Sequence, residues 1–252
     1  MTIRLTPAVK ALLIVCFISF LIQHTGDRWF GTDFASLFGL VPRGVLHYHR
    51  YWQFLTYVFL HADPMHLFFN LLLLAFVGSE LEMVWGPKQF LKFYFFCSIS
   101  AGLIYFILQI GFIGGLGSHL PLIGASGAIY GLLMAFGLLF GEKVMLFMLL
   151  FPMKAKHFVI FLGLFELMTT FYSSGGGVGS ISHLGGMVAG FLYLWGRTRL
   201  ILYQKSRKLL PKRGGRLSLF AKRKTKHLKL VVSNQPPQGS NPDRDSKPKL
   251  WH

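Results

Sequence analysis

The sequence is poor in charge. Only 14% of its 252 residues are Asp, Glu, Lys or Arg, against about 25% in a soluble domain. Acidic residues are scarcest, nine in all against 26 Lys and Arg. No His-Glu-x-x-His run occurs, which argues against a zinc peptidase of that type. No apolar run carries Asp in its middle, which argues against a membrane aspartyl pair. Cysteine is limited to Cys16 and Cys97, both within apolar runs. That count excludes a disulfide framework, and neither residue has the electropositive, part-exposed setting of a reactive thiol.

What is abundant is apolar surface. Hydrophobic residues make up 53% of the chain, in blocks near the ~20 residues that span a bilayer. The expected class is an all-α polytopic membrane protein. Six spans fit, at about 8–24, 64–83, 90–111, 125–141, 155–172 and 181–199. The order MTIRLTPAVK then ALLIVCFISFLIQ is signal-like, but HTGDRWF offers no small-residue cleavage site, so a retained first span is expected. Residues 25–60 are too polar to cross and rich in Trp and Tyr, which suits the interface. The run VMLFMLLFPMK (144–154) is apolar but broken by Pro152, and is expected along the surface. The chain then divides into a membrane domain, 1–200, and a basic, disordered tail, 201–252.

The net charge of +17 is concentrated in that tail, in KSRK, PKRGGR and AKRKTKHLK. Basic residues mark the cytoplasmic side of membrane proteins, so both termini are expected inside. Anionic lipids are the expected partner of the tail rather than nucleic acid. The outer segments then hold only Arg28, Arg43 and Arg50. The absence of an Arg/Ser-rich leader points to a bacterial inner membrane.

With that topology, spans two, four and six begin at the outer face. His66 and Asn70 in HADPMHLFFN, Ser126 in GASGAIYG and His183 in SHLGGMVAGF fall at similar depth. Each has a structural explanation when taken alone. Gly124, Gly127 and Gly131 suit close helix packing, a membrane His can bond a backbone carbonyl, and Asn70 can bond another helix. Together they form a hydrolytic constellation: Ser126 as nucleophile, His183 as general base and acid, and Asn70, His66 and the Ser126 N–H as oxyanion donors. No Asp or Glu is expected at that depth, which predicts a dyad. Glu166, in mid-span five, is costly there; it is expected to pair with a polar partner inside the bundle or to face the cavity, and receives no mechanistic role. His61 is expected nearer the surface.

HLFFN, GASGAIYG and HLGGMVAG together resemble the rhomboid intramembrane serine proteases, over roughly residues 8–200. The resemblance implies a six-helix bundle and hydrolysis of peptide bonds in or near transmembrane segments of other membrane proteins. It implies a Ser126–His183 dyad with Tyr130 packed on the His183 ring, and no cofactor or metal. It implies a movable cap, expected in SSGGGVGS (173–180), and sideways access for substrate near spans two and five. GSELEMVWG (78–86) is similar to the family's Gly-x-x-x-Glu-x-x-x-Gly stretch, with Glu82 in a structural pairing. Gln53 follows Trp52 where the family usually has arginine, with Arg50 close by as a substitute. Ser182 stands where alanine is usual. The alternatives are a non-catalytic relative that binds membrane helices, and a small transporter, which would call for paired repeats that are not evident.

Overall fold

The computed structural model of the chain describes residues 4–113, 119–147, 151–172 and 178–209. It is mostly helical. Helix α1 (Pro7–Trp29) is followed by three short helices, α2 (Phe34–Phe38), α3 (Pro42–Tyr48) and α4 (Gln53–Thr56). Helix α5 (Pro64–Leu73) continues through a π turn at 74–78 into α6 (Ser79–Trp85). Helices α7 (Pro87–Leu108) and α8 (Ser126–Leu139) follow, then strands β1 (Val144–Phe147) and β2 (Phe151–Lys154), and helices α9 (Ala155–Tyr172) and α10 (Val178–Leu209). Three helices among the described residues, Pro7–Trp29, Pro64–Trp85 and Pro87–Phe112, are long and apolar enough to cross a membrane. Ile14, Phe17, Ile18 and Leu21 of α1 and Ile160, Leu164, Phe165 and Met168 of α9 face outward. Such a surface suits lipid contact and would aggregate in water.

The start of α1 is held from another helix. Its first N–H groups have no intrahelical acceptor. The Glu82 carboxylate of α6 accepts from Ala8 N and Val9 N, each at 2.9 Å, and from the Thr6 hydroxyl. The acidic residue of GSELEMVWG therefore caps a helix N-terminus, where its charge also meets the positive end of the dipole. Glu82→Ala is expected to lower the unfolding free energy by roughly 2–4 kcal/mol. Thermal unfolding in detergent checks this. Glu80→Ala is the control, because the Glu80–Lys143 pair at 2.6 Å is part-exposed and such pairs contribute less than about 1 kcal/mol.

Residues 30–60 are ordered by a buried amide. Gln53 donates from Nε2 to Ser36 O (2.9 Å) and Leu37 O (3.3 Å) and accepts from Val41 N (3.1 Å). Arg50 donates to the same Ser36 carbonyl at 2.9 Å, and Trp52 donates to Leu37 O at 3.0 Å. Gln53 and Arg50 thus share the loop anchor. Two further ties reach inward. Leu40 and Leu122 exchange backbone hydrogen bonds of 2.9 Å, and Tyr57 O accepts from Gly124 N at 2.9 Å. The stretch leading into α8 is stitched to this loop.

Helix α8 is the centre of the bundle. Gly127, Ala128, Ile129, Gly131, Leu132, Leu133, Ala135 and Phe136 are buried, against α7, α9, α10 and the 74–78 turn. Small residues let α10 approach closely. A Cβ added at Gly186 would lie 1.9 Å from Gly127 O, and one at Gly190 2.8 Å from Gly131 O.

Two features go beyond the expectations. The run expected along the surface forms an antiparallel ribbon in its described residues, with Val144 opposite Lys154 and Leu146 opposite Pro152, and Val144 and Phe151 are exposed. An apolar run of this length has no period that separates strand from helix. Lys154 and Lys156 both bond Glu142 at the base of this ribbon, and push its carboxyl down to about 2. The last helix also runs to Leu209, beyond the span end expected near 199. RTRLILYQKSRKL (197–209) contains no Gly or Pro to stop it, and Pro211 follows. Most of the expected cap segment, 173–177, and the tail beyond 209 lie outside the described residues.

Candidate active site

Ser126 is the first residue of α8, so its side chain and N–H sit at the positive end of that helix. Gly124, two residues before it, has φ +118, which strains any other residue. A Cβ there would also lie 2.8 Å from the His66 Nε2. The glycine thus brings the backbone against the histidine and turns the chain into α8.

His183 comes from the second turn of α10. Its Nε2 lies 2.7 Å from the Ser126 Oγ. The Tyr130 ring, one turn along α8 from Ser126, stacks on the imidazole with centroids 4.2 Å apart and planes 2° from parallel. One ring face and the Nε2 edge are therefore constrained from the same helix that carries the hydroxyl. Ser126 and His183 are half-buried, so a reactant can reach them.

His66 and Asn70 come from α5, where Asp63 and Pro64 set the helix start. Asp63 accepts from Met65 N and His66 N, both at 2.9 Å, and these bonds, that from His66 N first, hold its carboxyl below the usual range. Ala62 N donates to the His66 Nδ1 at 3.3 Å. That bond leaves the proton on Nε2, the nitrogen that faces Gly124. Asn70 is buried and spends one N–H on His66 O at 2.8 Å, with a second N–H still to give. The structure thus brings Ser126, His183, Tyr130 and His66 into one place at the N-terminal ends of α8, α10 and α5, with Asn70 one turn further along α5.

His61 departs from expectation. It is fully buried, not at the surface, and its ring lies edge-on to His66 at 5.1 Å. Desolvation, before the nearby His66, pushes its imidazole down to about 4. A neutral ring there backs the His66 side chain.

The second departure concerns Glu166. The sequence predicts a dyad, with no carboxylate at the depth of His183. In the structure the Glu166 Oε1 lies 2.9 Å from the His183 Nδ1 and the Tyr130 hydroxyl donates to the same carboxylate. The signal was present as register. Glu166 stands six residues before the end of α9 and His183 five residues after the start of α10. At 1.5 Å per residue, antiparallel neighbours bring these positions to within about one turn of each other.

A hydroxyl 2.7 Å from an imidazole, at a helix N-terminus with N–H donors nearby, has the parts needed for acyl transfer. These parts are set within an apolar helical bundle, and that setting defines the class as a helical membrane protein. The family model of the Rhomboid domain matches residues 48–200, and the chain belongs to the rhomboid family. It is 33% identical over 205 residues to the putative rhomboid protease YdcA of Bacillus subtilis, covering 75% of this chain and 88% of that protein. It is 32% identical over 123 residues to the rhomboid protease GluP of the same organism, covering 49% of this chain and 22% of that protein. An inactive RHOMBOID-like protein 8 of Arabidopsis thaliana is 29% identical over 138 residues, covering 55% and 38%. The chain spans between 22% and 43% of the length of GluP and four other curated relatives.

Proposed function

We propose that this chain is an intramembrane serine endopeptidase that cuts other membrane proteins in or beside their transmembrane segments. The observation that carries the reading is the 2.7 Å approach of the His183 Nε2 to the Ser126 Oγ. Ser126 would give its proton to His183 as its oxygen bonds the scissile carbonyl carbon. The carbonyl electrons move to oxygen, which meets the Ser126 N–H, the His66 Nε2–H and the free Asn70 N–H. Collapse expels the amine, which takes the proton from His183. Water then repeats the sequence on the acyl-serine, and His183 returns the proton to Ser126. No cofactor or metal takes part in these steps.

The same reading gives α1, α5–α6, α7, α8, α9 and α10 as six spans, with both termini on the cytoplasmic side of a bacterial inner membrane. Residues 1–200 form the membrane domain, and the basic residues beyond it meet anionic lipid headgroups. Substrate approaches sideways, near α5 and α9. Its helix must unwind to present a carbonyl, so segments with Gly or Pro near the cut are favoured. Helix α8 supports this depth: 14 residues measure about 21 Å, against about 30 Å of hydrocarbon. Ser126 then lies recessed beneath the outer surface.

The name of the inactive plant relative keeps a second reading in view, a protein that binds membrane helices without cutting them. A fluorophosphonate probe separates the two. Labelling of Ser126 in the detergent-solubilised protein, lost in His183→Ala, is expected of the enzyme. A silent Ser126 in folded protein supports the binder.

A further inference from the structure

We propose that Glu166 is a positioning residue for His183, so that the site works as a Ser126–His183–Glu166 relay; this rests on the peptidase reading above. The carboxylate is deeply buried, with 7% of its side chain exposed. A buried anion is costly unless it is paired or fully hydrogen-bonded. Its surroundings meet that demand from two helices. The Tyr130 hydroxyl of α8 donates to Oε1. The remaining neighbour is the His183 Nδ1 at 2.9 Å.

Proton logic ties this contact to the reaction. To receive the proton of Ser126, the His183 Nε2 must be bare, so the neutral ring carries its proton on Nδ1, the edge beside Glu166. The carboxylate lies off the axis of that N–H in the resting arrangement, and Nδ1 completes no aligned hydrogen bond. When the ring takes a second proton it becomes a cation 2.9 Å from an anion in a poorly hydrated site. A small rotation then aligns the bond. Glu166 therefore interacts more strongly with the charged ring than with the neutral one, and only that difference accelerates the chemical step. Tyr130 has a second task here: its ring supports the imidazole while its hydroxyl fixes the carboxylate.

The test uses the full chain, a single-span test substrate and the variants Glu166→Gln and Glu166→Asp. Gln keeps the shape and the acceptor for Tyr130 but removes the charge. In Glu166→Gln, kcat is expected to fall on the order of 10²-fold. KM should stay within about twofold and the unfolding midpoint should be nearly unchanged, a split that a packing role would not produce. Glu166→Asp restores the charge and is expected to recover at least about tenfold of that loss. Wild-type kcat in a folded Glu166→Gln overturns the relay while leaving the peptidase reading intact. A wild type that does not cleave overturns the peptidase reading itself. A second measurement needs no variant to fold: in ¹⁵N-histidine-labelled wild type captured by a fluorophosphonate, one Nδ1 proton should become strongly deshielded as the charge-assisted bond forms. Capture without that signal overturns the proposal.

Discussion

Cleavage of a single-span test substrate is expected to disappear in Ser126→Ala, with kcat reduced on the order of 10⁴–10⁶-fold. The fold should survive the change. Ser126 is half-buried and its hydroxyl is hydrogen-bonded to His183, so alanine removes one oxygen and leaves the helix packing in place. Thermal unfolding near the wild-type temperature separates lost chemistry from lost structure. His183→Ala should fall as far, and the double variant should be no worse than either single one. Groups that act as a unit give such strongly non-additive losses. Persistent cutting by Ser126→Ala would sink the assignment, and two single losses that multiply in the double variant would show that the residues do not share a step.

The second large effect is steric. Gly186→Ala is expected to cut kcat/KM by 10²-fold or more and to destabilise the protein by about 1–3 kcal/mol or beyond. The new methyl would sit 1.9 Å from Gly127 O and 2.8 Å from Gly127 C. Both atoms belong to backbone, which has no rotamer to move aside. Helix α10 must back away from α8, and the imidazole leaves the hydroxyl with it. Gly196→Ala is the matched control. Nothing lies within 4 Å of a Cβ there, and alanine favours a helix over glycine by up to about 1 kcal/mol. Activity assays and unfolding curves on the two variants check the contrast. Equal behaviour would mean that the contact between α8 and α10 does not set the site.

Much of this site was legible because its signals are local. HADPMHLFFN places His66 and Asn70 on one helix face, and Asp63-Pro64 announces where that helix begins. The glycines of GASGAIYG and HLGGMVAG announced a close pair of helices, and Gly127 and Gly186 do meet. Family membership followed from the same residues. Glu166 was harder. Its identity gave only a cost, and its role depends on how far α9 is rotated and how deep it sits beside α10, neither of which a single helix encodes. Gln53 stands where the family usually has arginine, but an amide both donates and accepts, and in the structure it holds two carbonyls and one N–H. The β1–β2 ribbon was missed for another reason: uniform greasiness carries no period, and the pairing of Val144 with Lys154 is settled by partners rather than by either strand.

The backbone ties from Leu40 and Tyr57 to the stretch before α8 assign the connector between α1 and α5 a task that its irregular look conceals. The start of α8, with Ser126, is tethered from outside the bundle as well as from within it. A chimera that borrows this connector from a relative, leaving every helix intact, would still carry the hydroxyl to a new address.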